Sequence, residues 1–509
     1  MLVVGGGING CGIARDLAGR GWRVTLVEAD DLAAHTSSSS TKLIHGGLRY
    51  LEYHEFGLVR KALQEREVLL RSAPHIMWPL RFVMPHDSAM RPAWMIRAGL
   101  FLYDHLARRE VLPGSTRINL RTHAVGVPLQ SKFTHGFVYS DGWVDDARLV
   151  VLNALDAVAH GASLHTRTRC VAVQRHDTHW TATVQDARGA QRVITARALV
   201  NAVGPWAESF LRGVAKPAHG EALATKQLRL VKGSHIVVRK RFEHDHAYLF
   251  QNPDKRIIFA IPYERDFTLI GTTDVEIHGD PRGAQIDADE IAYLCAQASR
   301  YFTAPVSPAD VVWSYAGVRP LLDDASGDPS AVTRDYLLEP NTGAAPLLSV
   351  WGGKITTFRK LAEDAASDVG RLLGDARQPW TERTHLPGGD LRDWIGAAQR
   401  PDTDFTRLVQ AILQRHRWLP APLAHRLARA YGSRIDLVIG AAQGLSDLGA
   451  EVAPGLHEAE LVYLQRHEWA VSAADVLWRR SKLGLHFTPA QHEAVAAWLA
   501  AHPDASRPA

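Results

Sequence analysis

The first 28 residues constrain this chain more than any other stretch. Val3-Val4 close a short apolar strand that runs straight into Gly5-Gly6-Gly7-Ile8-Asn9-Gly10, in which Gly5, Gly7 and Gly10 fit the pattern G-x-G-x-x-G. Ile13, Ala14, Leu17 and Ala18 follow at helical spacing, and Gly19 and Gly21 punctuate the end of that helix. Residues 23–28 read as a second strand that closes on the acidic Glu28. The whole is a βαβ unit with its acid where the ribose of a dinucleotide is held. The glycines serve different ends. Gly5 permits the tight turn, Gly7 lets backbone approach a pyrophosphate, and Gly10 lets the helix sit close to the strand. The helix N-terminus then presents free N–H groups and a positive dipole end to the phosphates. The motif specifies a bound dinucleotide without separating FAD from NAD.

A chain of 509 residues can bury a large core and is expected to divide into two or more domains. Its charge is nearly balanced, 58 Lys+Arg against 54 Asp+Glu, so nothing draws it to nucleic acid. Cys11, Cys170 and Cys295 are far apart and form no CxxC pair, which argues against a disulfide framework or a zinc site, and no metal site is expected. No apolar run reaches the roughly 18 residues of a spanning helix. Met1 opens directly on the first strand, so no signal peptide is visible and a few residues are expected ahead of it in the natural chain.

After Glu28, the run Thr36-Ser37-Ser38-Ser39-Ser40-Thr41-Lys42 passes into the Gly-punctuated, basic segment that ends at Arg49-Tyr50. Its hydroxyls and amides are read as a continuation of the phosphate site rather than as a linker. Residues 54–73 read as an amphipathic helix. Residues 91–109 place Trp94, Phe101 and Tyr103 between Arg97, Arg108 and Arg109, the pattern of an interfacial helix, with an ordinary buried helix as the alternative. Strand signals fill 163–203, and an antiparallel meander is expected over 234–273. A helix over 288–301 interrupts the sheet, and an apolar strand at 347–353 leads into a helix over 354–372. Beyond Pro379 and Leu386-Pro387-Gly388-Gly389 the strand signals fade, and 404–417, 421–431, 457–468, 472–483 and 489–501 read as helices. The pair Arg479-Arg480 is read as a solvated face or as a contact with the main body.

Several longer pieces, in order, resemble one family. They are Gly5 to Gly10, Lys42-Leu43-Ile44-His45-Gly46-Gly47-Leu48-Arg49-Tyr50-Leu51, Tyr139-Ser140-Asp141 with Trp143 to Leu149, Lys232-Gly233-Ser234-His235, Ile270 to Asp274, Gly317-Val318-Arg319-Pro320, Thr333-Arg334-Asp335-Tyr336 and Gly352-Gly353-Lys354. The chain resembles the FAD-dependent, quinone-linked glycerol-3-phosphate dehydrogenases of aerobic bacteria over nearly its whole length. That resemblance implies FAD as cofactor, sn-glycerol 3-phosphate oxidised to dihydroxyacetone phosphate, and ubiquinone as electron acceptor. It also implies peripheral attachment to the cytoplasmic face of the inner membrane, with a homodimer left open. The implied cofactor-binding residues are Gly5, Gly7, Asn9, Gly10, Glu28, Thr36, Ser37, Thr41, Lys42, Leu43, Val171, Gly204, Gly353 and Lys354.

A phosphorylated alcohol needs fixed positive charge, and an arginine fork can bind two phosphate oxygens at once. Arg49, Arg319, Arg334 and Lys354 each stand beside a glycine or turn and are the candidate phosphate-side residues, with Tyr50 and Thr273 as hydrogen-bonding partners. For the proton of the C2 hydroxyl, His235 is the candidate acceptor by pKa, while Arg319 is the alternative as a cation polarising the alkoxide. The sequence leaves that choice open. The expected fold is α/β: a Rossmann-like FAD-binding domain with an antiparallel-sheet substrate domain, interleaved over 1–380, and an all-helical C-terminal domain over 381–509. The substrate sheet is expected mainly from 75–140 and 225–340. Two other functions stay in view: an oxidase of the same superfamily passing electrons to oxygen, and a flavin-binding regulator without turnover.

Overall fold

The computed structural model describes residues 1–87, 91–218, 223–254, 256–322 and 335–503. Leu2–Val4 is the centre of a six-stranded sheet with the order Leu337–Asn341, Leu347–Trp351, Leu199–Asn201, Leu2–Val4, Thr25–Val27, Ser163–His165. All its pairings are parallel except that of the edge strand Leu337–Asn341. A parallel sheet buried on both faces calls for continuous apolar strands, and Leu2, Val3, Leu199 and Val200 are all fully buried. Helix Ile8–Gly19 covers this sheet together with helices Asp146–Ala159 and Phe358–Leu372.

Gly10 makes the first of these packings possible. A Cβ at Gly10 would lie 1.8 Å from the carbonyl oxygen of Gly5, so no larger residue fits while the helix lies against the strand. Gly5 itself has φ of +111°, a conformation that suits glycine.

The strand signals over 163–203 divide between two sheets. Ser163–His165 and Leu199–Asn201 join the parallel sheet, whereas Thr168–Arg175, Trp180–Asp186 and Gln191–Ala196 form a separate sheet closed by Ala215–Lys216. A ten-stranded sheet carries the rest, built from the meander Leu228–Arg239, Ala247–Gln251, Ile257–Tyr263 and Phe267–Gly271 together with Met77–His86 and His135–Val144. Strand Val311–Leu322 pairs along nearly the whole of Leu228–Arg239. Sequence periodicity gives no strand at 311–322. Its partner, not an alternating pattern, holds it in place.

The C-terminal helices Pro401–Arg415, Ala421–Tyr431, Glu458–Glu468 and Pro489–Ala501 enclose an apolar core of their own running from Leu391 to Leu499. The segment expected as a helix over 472–483 is helical over 473–480, with Asp475–Arg480 wound as a π-helix.

Helix Ala93–His105 has one buried and one exposed face. Ile96, Leu100 and Tyr103, at i, i+4 and i+7, are buried on the ten-stranded sheet, while Trp94 is 70% exposed and Phe101 58%. Tyr103 corrects the expectation that it faces outward: its hydroxyl donates to Asp141 at 2.7 Å and its ring is in the core.

Candidate functional site

The glycine turn, the loop after Glu28 and the strand end at Ala202-Val203-Gly204 enclose a cavity of about 520 Å³. Gly5, Gly7, Asn9, Glu28, Thr36, Ser37, Val171, Gly204 and Gly353, nine of the residues expected to hold a cofactor, line it. Helix Ile8–Gly19 has Gly7 at its N-cap, which brings no side chain of its own, so the positive end of the helix opens on this space. Ile8 N–H donates to Ser37 Oγ at 3.0 Å, which brings the Ser-rich run onto the turn. Asn9 Nδ2 donates to Gly352 O at 3.1 Å, while its Oδ1 is buried with no hydrogen-bond partner among the described residues.

The Glu28 carboxylate accepts from Gly6 N–H at 2.5 Å and from Asp30 N–H at 2.8 Å. Burial pushes this carboxyl above its ordinary range, against the pull of those two donors. An uncapped helix end, a glycine turn, a buried acid and an orphaned amide oxygen together fit a dinucleotide with a ribose and a pyrophosphate. The mouth carries groups that no motif marked: His35 meets the Trp206 ring edge-on at 4.8 Å, and Trp206 Nε1 donates to Asp280 at 3.0 Å.

Segment 36–50 runs from this cavity along the ten-stranded sheet. Thr36 Oγ1 donates to Val318 O at 2.7 Å, and His45 N–H donates to Thr356 Oγ1 at 3.1 Å. Gly46 is held from behind by Tyr103 and Asp141, the latter paired with the buried Arg66 at 2.7 Å. The motif Tyr139-Ser140-Asp141 thus supports the turn at 45–47.

At the far end, Pro320, Gly352 and Gly353 line the same cavity. Lys354 Nζ lies 3.8 Å from the centre of the Tyr50 ring, so the basic residue of one motif meets the phenol of another. Arg319 Nη2 reaches Thr273 O at 2.9 Å and Asp274 at 2.7 Å. His235 is 2% exposed, stacked on Tyr315 at 4.8 Å, with Nε2 3.0 Å from Thr41 Oγ1. Burial, with Lys42 and Arg319 nearby, holds its imidazole well below the ordinary histidine range, so it is neutral.

Four expected residues are placed elsewhere. Lys42 does not line the cavity: its ammonium group, 1% exposed, is paired with Asp146 at 2.7 Å and donates to Ser38 O at 3.0 Å. Leu43 is buried in the ten-stranded sheet core. The Thr273 hydroxyl, 1% exposed as a residue, is taken by Glu290 at 2.6 Å and Ser234 N–H at 2.9 Å. Arg49 turns toward Tyr53, its guanidinium 5.9 Å from that ring. Gly10 acts through packing against Gly5, and Arg334 lies outside the described residues. Among the described residues no cluster suited to a metal ion occurs, and Cys11, Cys170 and Cys295 are free and buried.

Comparison with known proteins agrees with this geometry. Residues 1–359 match the family described as FAD dependent oxidoreductase, and residues 379–502 match the C-terminal domain of alpha-glycerophosphate oxidase. A glycerol-3-phosphate dehydrogenase of Pseudomonas aeruginosa is 50% identical, covering 100% of this chain and 96% of its own. A D-erythritol 1-phosphate dehydrogenase of Brucella abortus is 47% identical, covering 98% and 97%. The crystal structure of the Bacillus halodurans glycerol-3-phosphate dehydrogenase complexed with FAD superimposes with a TM-score of 0.78 at 28% identity, over 98% of this chain and 90% of that one. The chain is therefore an FAD-binding protein that belongs to the family of FAD-dependent glycerol-3-phosphate dehydrogenases.

Proposed function

We propose that the protein oxidises sn-glycerol 3-phosphate to dihydroxyacetone phosphate at the membrane surface. The observation that carries this reading is the meeting of Lys354 and Tyr50 beside the cavity end formed by Pro320, Gly352 and Gly353, with Arg319 next to Pro320. These groups supply fixed charge and hydrogen bonds for a phosphorylated alcohol. Bound FAD would supply the acceptor for the C2 hydride and a carrier from which two electrons could pass to ubiquinone. Gly5, Gly7, Asn9, Glu28, Thr36, Ser37 and Gly353 would hold it. Arg319 polarises the C2 oxygen as its proton leaves, and neutral His235, reached through the Thr41 hydroxyl, takes that proton. Lys354 and Tyr50 bind the phosphate end, with Arg334 the further candidate from the sequence. We divide the chain at 380, with the substrate sheet drawn mainly from 75–140 and 225–340.

The route to ubiquinone runs through the outer face of helix Ala93–His105. Trp94, Met95, Phe101 and Leu102 are exposed there, and the 48–53 segment packed on this helix ends in exposed Tyr53, with Arg108 and Arg109 just beyond the helix end. No helix among the described residues is long and apolar enough to cross a membrane, so this patch would dock rather than span.

The similarity to an erythritol-phosphate enzyme favours a second reading, in which a four-carbon polyol phosphate is the better substrate. The test is anaerobic addition of each phosphate to the purified protein while the flavin absorbance is followed. Rapid bleaching by glycerol 3-phosphate is expected. Faster bleaching by D-erythritol 1-phosphate would move the assignment to the longer polyol, and no bleaching with either would leave the regulator reading. Peroxide formed in step with substrate loss in air would replace the quinone by oxygen.

A further inference from the structure

The C-terminal helical domain grips the loop that lines the cofactor cavity. Of residues 27–37, all line that cavity except Asp31 and Leu32. Leu32 is buried in the core beside the first helix, and Asp31 points away into the C-terminal domain. Asp31 is 3% exposed. Its carboxylate accepts from Arg480 Nη1 at 2.6 Å and Nη2 at 2.8 Å, and from Arg479 Nε at 2.6 Å. Arg480 is fully buried and also donates to Glu468 O at 2.9 Å through Nε.

Both arginines stand at the end of the π-helical turn Asp475–Arg480, where Ser481 N–H donates to Val476 O, five residues back, at 2.9 Å. Their guanidinium groups converge on the one Asp31 carboxylate. Asp475, at the start of that turn, closes the cluster by pairing with Arg479 and with Arg167, a residue of the main body. Burial pushes the Asp475 carboxyl up, but Arg167 and the Val471 and Ser472 N–H groups override it and hold the carboxyl at about 2.

The segment is pinned on its other flanks as well. Ala33 N–H donates to Gly6 O at 3.2 Å, and Thr36 Oγ1 holds Val318 O. Between Glu28 and Thr36, therefore, the loop is fixed by the glycine turn, by the ten-stranded sheet and, through Asp31, by the C-terminal domain.

We propose that Arg480, with Arg479, is a cofactor-positioning residue: the C-terminal domain holds Asp31 so that Glu28 and the 33–37 loop keep the shape that retains FAD. This rests on the cavity being the FAD site. Binding linkage makes the effect reciprocal, so bound FAD in turn tightens the C-terminal domain on the body. The clamp explains why a helical domain that contributes nothing to the lining of the cavity is nonetheless joined to it by fully buried charge.

The experiment measures FAD release from the diluted holoenzyme by the rise in flavin fluorescence, with Tm recorded in parallel. Arg480→Met and Asp31→Asn are each expected to speed release by about tenfold, and the double variant by no more than the larger single effect. Glu468→Gln is the control, because it breaks an equally buried ion pair between the same two parts of the chain, Arg148–Glu468, while it leaves Asp31 untouched and keeps the backbone carbonyl of residue 468 to which Arg480 donates. It should lower Tm and leave FAD release within about twofold. Glu28→Gln tests the underlying site and should also speed release. The proposal is overturned if Arg480→Met and Asp31→Asn release FAD no faster than Glu468→Gln at a comparable loss of Tm. If Glu28→Gln alone speeds release, the site stands and the clamp falls. If neither Glu28→Gln nor the clamp variants change it, both fall. Asp31→Asn keeps the shape of the side chain, so the test survives if Arg480→Met does not fold.

Discussion

Replacing Lys42 by Met separates a structural lysine from a cofactor lysine. The Lys42 ammonium is 1% exposed and its partner Asp146 is fully buried, so removing the cation strands a buried carboxylate. Breaking such a pair from one side costs about 3–5 kcal/mol. Asp146 would keep Ser40 Oγ–H at 2.7 Å, Ser40 N–H at 3.1 Å and Ala147 N–H at 2.9 Å, which solvate it in part and favour the lower end, about 3 kcal/mol. For the body over 1–380, whose unfolding entropy is about 0.8 kcal/mol/K, that is a fall in Tm of about 4 °C. The assay is a thermal melt of the FAD-loaded protein, with the flavin content of the purified variant measured beside it. A Met variant that melts well below the parent with its flavin retained fits the ion pair. Unchanged Tm with lost flavin would refute the reasoning and make Lys42 a cofactor contact, and the Asp146→Asn variant would then leave Tm unchanged too.

Four further outcomes follow from the geometry. Gly10→Ala drives a Cβ into the Gly5 carbonyl, so the purified variant should carry no flavin, and a yellow, active Gly10→Ala protein would contradict this packing. Arg319→Ala should lower kcat/KM for glycerol 3-phosphate by about thirtyfold, about 2 kcal/mol for a charge-assisted hydrogen bond, and lower the slow turnover of plain glycerol by a similar factor, because both substrates carry the C2 oxygen; a loss confined to glycerol 3-phosphate would move Arg319 to the phosphate end. Trp94→Glu with Phe101→Glu should abolish binding to anionic liposomes and quinone reduction in them while soluble-dye reduction persists; liposome binding equal to the parent's would move the membrane face elsewhere. Burial holds His75, like His235, well below the ordinary histidine value of 6.5. The unfolded chain therefore binds the extra protons first, stability is full above about pH 6.5, and each such histidine removes up to about 1.4 kcal/mol per pH unit as pH falls toward its folded value. His75→Leu should flatten the dependence of Tm on pH below about 6.5, and an unchanged slope would show that His75 does not titrate with unfolding.

What was legible in the sequence is what depends on local geometry. The glycine turn, its helix and Glu28 could be read because the chemistry needs them within one βαβ unit, and the structure sets Gly5, Gly7, Asn9 and Glu28 around one cavity. The meander and the C-terminal helices were legible from their periods. Strand Val311–Leu322 was not, because its order comes from pairing with Leu228–Arg239 rather than from alternation. Lys42 and Thr273 show a different limit. Both stand in motifs shared with the family and look available to a ligand, yet each side chain is spent on a buried carboxylate, Asp146 or Glu290, 104 and 17 residues further along the chain. A motif reports that a residue type is required; it does not report whether the requirement is contact with a ligand or support of the backbone that makes the contact.

Asp31 and Arg480 carry that distinction furthest. They are 449 residues apart, and neither has a local pattern that announces the other. Asp31 follows Glu28 and Asp30 in the sequence, and Arg479-Arg480 reads either as a solvated face or as a contact with the main body; the structure gives the second. Neither stretch names its partner, which appears only when folding buries the two against one another. Burial of that kind is costly unless the geometry is saturated with hydrogen bonds, and here Asp31 accepts three charge-assisted bonds from two arginines. An apolar contact would hold the two parts of the chain together with less cost and less orientation. A doubly anchored carboxylate fixes direction as well as distance, and direction is what the loop between Glu28 and Ser37 needs in order to present its acid, hydroxyls and amides to a cofactor.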